Sequence, residues 1–120
     1  MPDQPFVTHH LVASAQLNHH GTLFAATMAQ WFVEASFMCA SDLLGPEIVL
    51  VKLNGMDFTS PVHLGEVVRF ESACVRAGRT SLTIQTRAIV GQRQISEGSV
   101  TFVNVDKDGR PVPHGIVLEA

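Results

Sequence analysis

Apolar and polar positions divide the chain into one long apolar block and several shorter alternating ones. Residues 22–44, TLFAATMAQWFVEASFMCASDLL, hold neither Gly nor Pro and stop at Gly45-Pro46, which predicts a helix with a glycine stop. About 23 residues at ~1.5 Å each make a rod of roughly 34 Å, long enough to cross a small domain. A helix apolar on nearly all sides must be enclosed by other structure, and strands must supply the enclosure because no second helix is evident. The first candidate strand is 6–16, where Val7, Leu11 and Val12 stand among polar residues in imperfect alternation. Four more follow at 48–58, 66–76, 81–90 and 95–105. In 66–76, Val68, Phe70 and Ser72 alternate with Val67, Arg69 and Glu71, a strand with two unlike faces. Short connections imply antiparallel pairing, while Pro61 and Gly65 break the chain before 66–76. The fold class is therefore α+β: a strand, a long helix and four meandering strands in a single domain over residues 1–120.

Composition supports this picture and removes several function classes. Of the 120 residues 46% are apolar and 16% charged, enough for one core without disulfides or metal and far from a disordered composition. The formal charge of −3 and the scattered basic residues argue against a nucleic-acid partner. Gln30, Glu34 and Asp42 interrupt the long apolar run and its flanks lack basic anchors, so a buried helix is expected rather than a membrane span. The start, MPDQPFVTHH, shows no basic stretch followed by an apolar one, and a cytoplasmic protein is expected. Cys39 and Cys74 lack the spacing of a redox or zinc pair and read as core thiols. The pairs His9-His10 and His19-His20 point adjacent side chains to opposite faces when extended, so no metal site is expected. With no Walker loop, dinucleotide fingerprint or GxSxG elbow, nucleotide hydrolysis, hydride transfer and the common serine-hydrolase layout lose their usual support.

The segments NHHGTLFAATMAQWFVEA, GMDFTSPVHLGEVVRFESACVRAGRTSLTIQT and TFVNVDKDGRPVP together resemble the hotdog-fold acyl-CoA thioesterases, most closely their acyl-CoA hydrolase branch. The resemblance covers most of the chain. It implies a hotdog fold, a central helix wrapped by a curved antiparallel sheet, with an acyl-CoA substrate and no cofactor. It also implies a homo-oligomer, a dimer or a dimer of dimers. The branch usually carries Asn, two residues, Gly, then Asp or Asn, two residues and paired glycines. Here Asn18 and Gly21 keep their places, Thr22 replaces the acidic or amide residue, and Ala25-Ala26 replace the glycines. By resemblance, the backbone N–H near Ala25 polarises the thioester carbonyl. Of the positions at which related branches carry a carboxylate, this chain retains one only at Glu34, which ranks first as base or water-orienting group.

Thioester hydrolysis needs a donor for the developing oxyanion and a group that delivers water, and a helix N-terminus meets the first need. Thr27, Gln30 and Glu34 share one helix face, which is either the wall of a cleft or the solvated side of the helix. Asn18 either caps the turn or bonds a substrate or water, and Thr22 caps the helix or takes part in chemistry. Asp57, in GMDFTSP, either faces a subunit interface near the helix start or points outward. The AGRTS turn, with Arg76, Arg79, Thr80 and Ser81, offers donors for coenzyme A phosphates or is an ordinary hairpin end. Two functions follow: an acyl-CoA thioesterase, and a non-catalytic module that binds acyl thioesters or lipids.

Overall fold

The computed structural model describes residues 4–118. Its elements are β1 (Phe6–Leu11), a 3-10 turn (Ser14–Gln16), α1 (Ala25–Leu44), β2 (Ile48–Met56), β3 (Val67–Ala77), β4 (Ser81–Val90) and β5 (Arg93–Asn104). The strands form one five-stranded antiparallel sheet in the order β1-β3-β4-β5-β2. The helix touches every strand. This matches the predicted order of elements, and the C-terminal segment is a turn and tail as its composition implies: Asp106 accepts from the N–H groups of Asp108 and Arg110.

The largest differences from expectation lie at two boundaries, the other strand ends shifting by no more than two residues. The first predicted strand ends at Leu11, and the last three residues of its predicted span, Ser14–Gln16, form the 3-10 turn. The helix begins at Ala25 rather than Thr22, because Leu23 N–H donates to the Val62 carbonyl at 2.8 Å and Thr22 bridges to His63. Residues 22 and 23 are thus held extended by tertiary partners. The Gly45 stop is as expected, with φ of 87°, a backbone conformation that favours glycine.

Burial along α1 follows Met28, Trp31, Phe32, Ala35, Ser36, Cys39 and Ala40, the spacing that puts one stripe against a sheet. Phe32, Phe70 and Phe102 are fully buried at the centre of the core, with Leu82, Ile84 and Val100 around them. The opposite helix face is open within one chain: Gln30, Glu34 and Met38 are exposed, so the helix is not enclosed on all sides. A single sheet covers a single helix face. At the sheet edge, Val49, Leu50, Val51 and Leu53 of β2 are also exposed.

Three buried hydroxyls cross from helix to sheet. Ser36 Oγ donates to the Phe32 carbonyl at 2.8 Å and lies 2.8 Å from Thr86 Oγ1, which lies 2.7 Å from Ser72 Oγ. Each hydroxyl has one proton. With that of Ser36 committed to Phe32, Thr86 must donate to Ser36 and Ser72 to Thr86. Buried polar groups cost little when partnered in this way.

On the outer face of the sheet Glu71 accepts from Arg87 at 2.8 Å and from Arg69 at 3.0 Å. Burial alone would raise the Glu71 carboxyl, but the hydrogen bonds and charges of Arg87 and Arg69 outweigh it and hold the group below the usual carboxylate range. Unfolded chains protonate Glu71 at its ordinary pKa, whereas folded ones keep it charged to lower pH. Its contribution to stability is therefore complete above the ordinary pKa and is lost as pH falls through the folded one. The Tm advantage of the parent over Glu71→Gln should shrink between neutral pH and about pH 3; a constant advantage would contradict the assignment.

Among the described residues both cysteines are free thiols, and no helix is long and apolar enough to cross a membrane. Burial, then the nearby Cys74 and Asp42, push the Cys39 thiol up to about 11.

Candidate active site

The segment before α1 is a tight loop built by its own side chains. Asn18 N–H donates to the Thr22 carbonyl at 2.7 Å, and Gly21 N–H to the Asn18 carbonyl at 3.0 Å. Gly21 has φ of 80°, so a residue with a Cβ would be strained there. Asn18 Oδ1 accepts from His20 N–H at 2.9 Å and Thr22 N–H at 3.2 Å, while Asn18 Nδ2 donates to Thr22 Oγ1 at 3.1 Å. Both side chains hold the turn. Neither caps the helix, since Phe24 occupies the N-cap and carries no acceptor. His19 and His20 are exposed at the loop tip, and among the described residues no three metal-binding side chains cluster.

The helix start is correspondingly open. Among the described residues nothing accepts from the N–H groups of Ala25, Ala26 and Thr27, and no acidic side chain stands in the first turn. Ala25 and Ala26 are exposed. The positive end of the helix dipole thus presents donors to a ligand. Two recesses flank these donors. One, of about 270 Å³, is lined by Ala25, Leu23, Met28, Phe58, Val62 and Ile95 among others. The other, of about 300 Å³, lies against Gln16, Asn18, His19, Phe24 and Thr27. At 3.6 residues per turn, Ala25 and Met28 are centred about 100° round the helix from Phe24 and Thr27, so the open turn is a ridge between two hollows.

The other predicted residues lie further away. Glu34 is exposed and accepts from Gln30 Nε2 at 3.0 Å on the uncovered helix face. Nine residues from Ala25, it stands roughly 14 Å along the axis, beyond the reach of its own helix start. Asp57 follows β2, and its Oδ1 accepts from Glu97 N–H at 2.8 Å. It shares a hollow with Gln85 and Glu97, whose neighbours Ile84, Thr86 and Ser96 are buried on the helix side. Asp57 therefore points outward, away from the helix start.

The turn carrying Arg76, Arg79, Thr80 and Ser81 is at the opposite end of the domain. The helix begins beside Val62 and His63, just ahead of β3, and β3 then runs roughly 33 Å to this turn. After the helix ends, β2 starts with Ile48 paired to Asn104, whose N–H bonds the Thr80 carbonyl. Arg76 and Arg79 are exposed, with no ion pair among the described residues. The C-terminal tail closes on the same turn: His114 N–H donates to the Arg79 carbonyl at 3.3 Å, and its Nε2 lies 2.9 Å from the Ser81 carbonyl.

Sequence reasoning missed the recess walls Leu23, Met28, Phe58 and Ile95. Each reads as an ordinary core or strand residue, and nothing local distinguishes a pocket wall from filler.

One long helix laid across a five-stranded antiparallel sheet is the architecture of the hotdog fold. The chain is similar to a hexameric hotdog-fold thioesterase of Campylobacter jejuni, with a TM-score of 0.83 at 20% identity over 92% of this chain and 90% of that one. It is also similar to a hexameric thioesterase from Yersinia pestis, with a TM-score of 0.88 at 25% identity over 98% of this chain and 100% of the other. In sequence it is 30% identical to the acyl-CoA thioester hydrolase YciA of Salmonella typhimurium, over 93% of this chain and 91% of that protein. The profile of the thioesterase superfamily matches residues 20–97, from the loop tip into β5. The chain belongs to the thioesterase superfamily.

Proposed function

We propose that this protein hydrolyses acyl-CoA thioesters to the free acid and coenzyme A. The observation that carries the reading is the uncapped first turn of α1, in a chain of the thioesterase superfamily related to an acyl-CoA thioester hydrolase. The thioester carbonyl sits against the N–H groups of Ala25 and Ala26. As water adds to the carbonyl carbon, negative charge grows on the oxygen and those fixed donors stabilise it. Collapse of the tetrahedral intermediate expels the thiolate, and the acid product remains.

Glu34 is the group proposed to take the proton of the attacking water. Because it cannot reach its own helix start, it serves a thioester held by a second copy. Its exposure beside exposed Met38 supports a face that another chain covers. The apolar edge of β2 supports a homodimer that pairs sheets, since uncovered edges invite such pairing. The Arg76, Arg79, Thr80 and Ser81 turn would likewise meet the phosphates of coenzyme A bound at another subunit. The hexameric state of the two solved thioesterases supports assembly beyond one chain.

A panel of acyl-CoA substrates with a thiol reagent tests the activity. Turnover well above background is expected, and Glu34→Gln should lower kcat by about 100-fold, the usual contribution of a general base. Tight binding without turnover would instead favour the non-catalytic module. Equal kcat in Glu34→Gln and the parent would remove Glu34 from the mechanism.

A further inference from the structure

The hollow beside Ala25 has a closed floor. Met28 and Ile95 are 4% and 2% exposed, and Leu23 and Val62 are also buried. Backbone bonds fix its walls: Leu23 N–H to the Val62 carbonyl at 2.8 Å, and Thr59 N–H to the Ile95 carbonyl at 3.0 Å. Thr59, a polar residue on this wall, has its hydroxyl turned onto the Ile95 carbonyl at 3.1 Å. At the mouth stands Phe58, 54% exposed, an aromatic ring left in water in the single chain. The recess is therefore a mainly hydrocarbon cup with a buried floor, opening beside the unpartnered Ala25 N–H.

We propose that this cup receives the acyl group of the thioester, and that Met28 and Ile95 on its floor set the permitted chain length, making acyl-CoA of up to medium chain length the substrate class. The inference rests on the hydrolase reading for the identity of the occupant. Its volume is about 270 Å³, room for an acyl chain of medium length, and its buried floor at Met28 and Ile95 is where a lengthening chain meets a stop. A carbonyl bound at Ala25 N–H can send one substituent into this cup. The other then leaves towards the hollow at Asn18 and His19, about 100° round the helix.

Two measurements test this. First, non-hydrolysable S-alkyl thioethers of coenzyme A, lengthened one carbon at a time, are titrated by calorimetry. Kd should tighten about fourfold per methylene over the first few carbons and then stop improving as the cup fills. Second, kcat/KM is measured from acetyl- to dodecanoyl-CoA. Met28→Ala should raise the dodecanoyl-to-octanoyl ratio on the order of tenfold, as expected for methylenes newly admitted to an apolar pocket. Ile95→Val, which removes one methyl from the floor with little risk to folding, should shift the ratio the same way by about threefold.

Unchanged ratios in folded Met28→Ala and Ile95→Val would overturn the proposal, as would a thioether series indifferent to length. If the parent turns over no thioester yet binds the thioethers with the same length cut-off, the cup stands and the hydrolase reading falls. If turnover is brisk at every length alike, the hydrolase reading stands and the cup falls.

Discussion

Replacing Ala25 by proline should cost about 100-fold in kcat while leaving the fold intact. Ala25 is the first helical residue, where a proline ring is tolerated because the N–H has no intrahelical partner to lose. The preceding residue suits it too, since Phe24 has φ of −64° and ψ of 129°, in the extended range that proline demands of its predecessor. The substitution therefore deletes one backbone donor and little else. Removal of one oxyanion donor typically costs about 10²- to 10³-fold. A kcat within threefold of the parent, at matched Tm, would move the oxyanion site away from Ala25.

The same variant shows which copy supplies Glu34. Ala25→Pro and Glu34→Gln subunits, each nearly inactive alone, would be mixed under exchange conditions. If each thioester is held by one copy and attacked with the help of another, hybrids rebuild intact sites and about a quarter of parental activity should return for random pairing. No recovery above the two separate variants would discard Glu34 as the group supplied by a second copy.

The second large effect lies in the sheet. Gly98 of β5 faces Met56 where β2 is bulged, and a Cβ there would run into the Gly55 carbonyl oxygen and lie 2.8 Å from Met56 Cα. Both obstacles are backbone, so the strands must separate. Gly98→Ala should destabilise by about 2–3 kcal/mol, a fall in Tm of roughly 8–12 °C for a domain of this size. Gly78→Ala is the control, because its added methyl meets only the Ser81 side chain, which can rotate away. A Gly98→Ala protein melting within about 2 °C of the parent would refute the close approach.

The sequence made the helix and the last four strands legible for a local reason: the run between Gly21 and Gly45 holds no breaker, and strand faces alternate residue by residue. It misplaced the helix start because the partner of Leu23 is Val62, some forty positions away, and propensity has no access to that bond. The open face of α1 was hidden for another reason. Apolar content marks what must be covered, whereas Gln30, Glu34 and Met38 show what one sheet leaves uncovered.

Site residues were readable only where the chain is contiguous. Asn18 and Gly21 announced the loop, and the free donors near Ala25 follow from it. Met28, Phe58 and Ile95 meet from three separate segments, and the Arg79 turn is carried to the far end by the length of β3. Only the topology assigns those positions.

The directed line of hydroxyls from Ser72 through Thr86 to Ser36 acts as an angular index for the whole helix. Sliding α1 by one position would turn it by about 100° and strand these protons in a dry core. With the phase locked at its middle, the helix has only one way to aim its opening turn, and the donors of Ala25 are held at the lip of the cup before any ligand arrives.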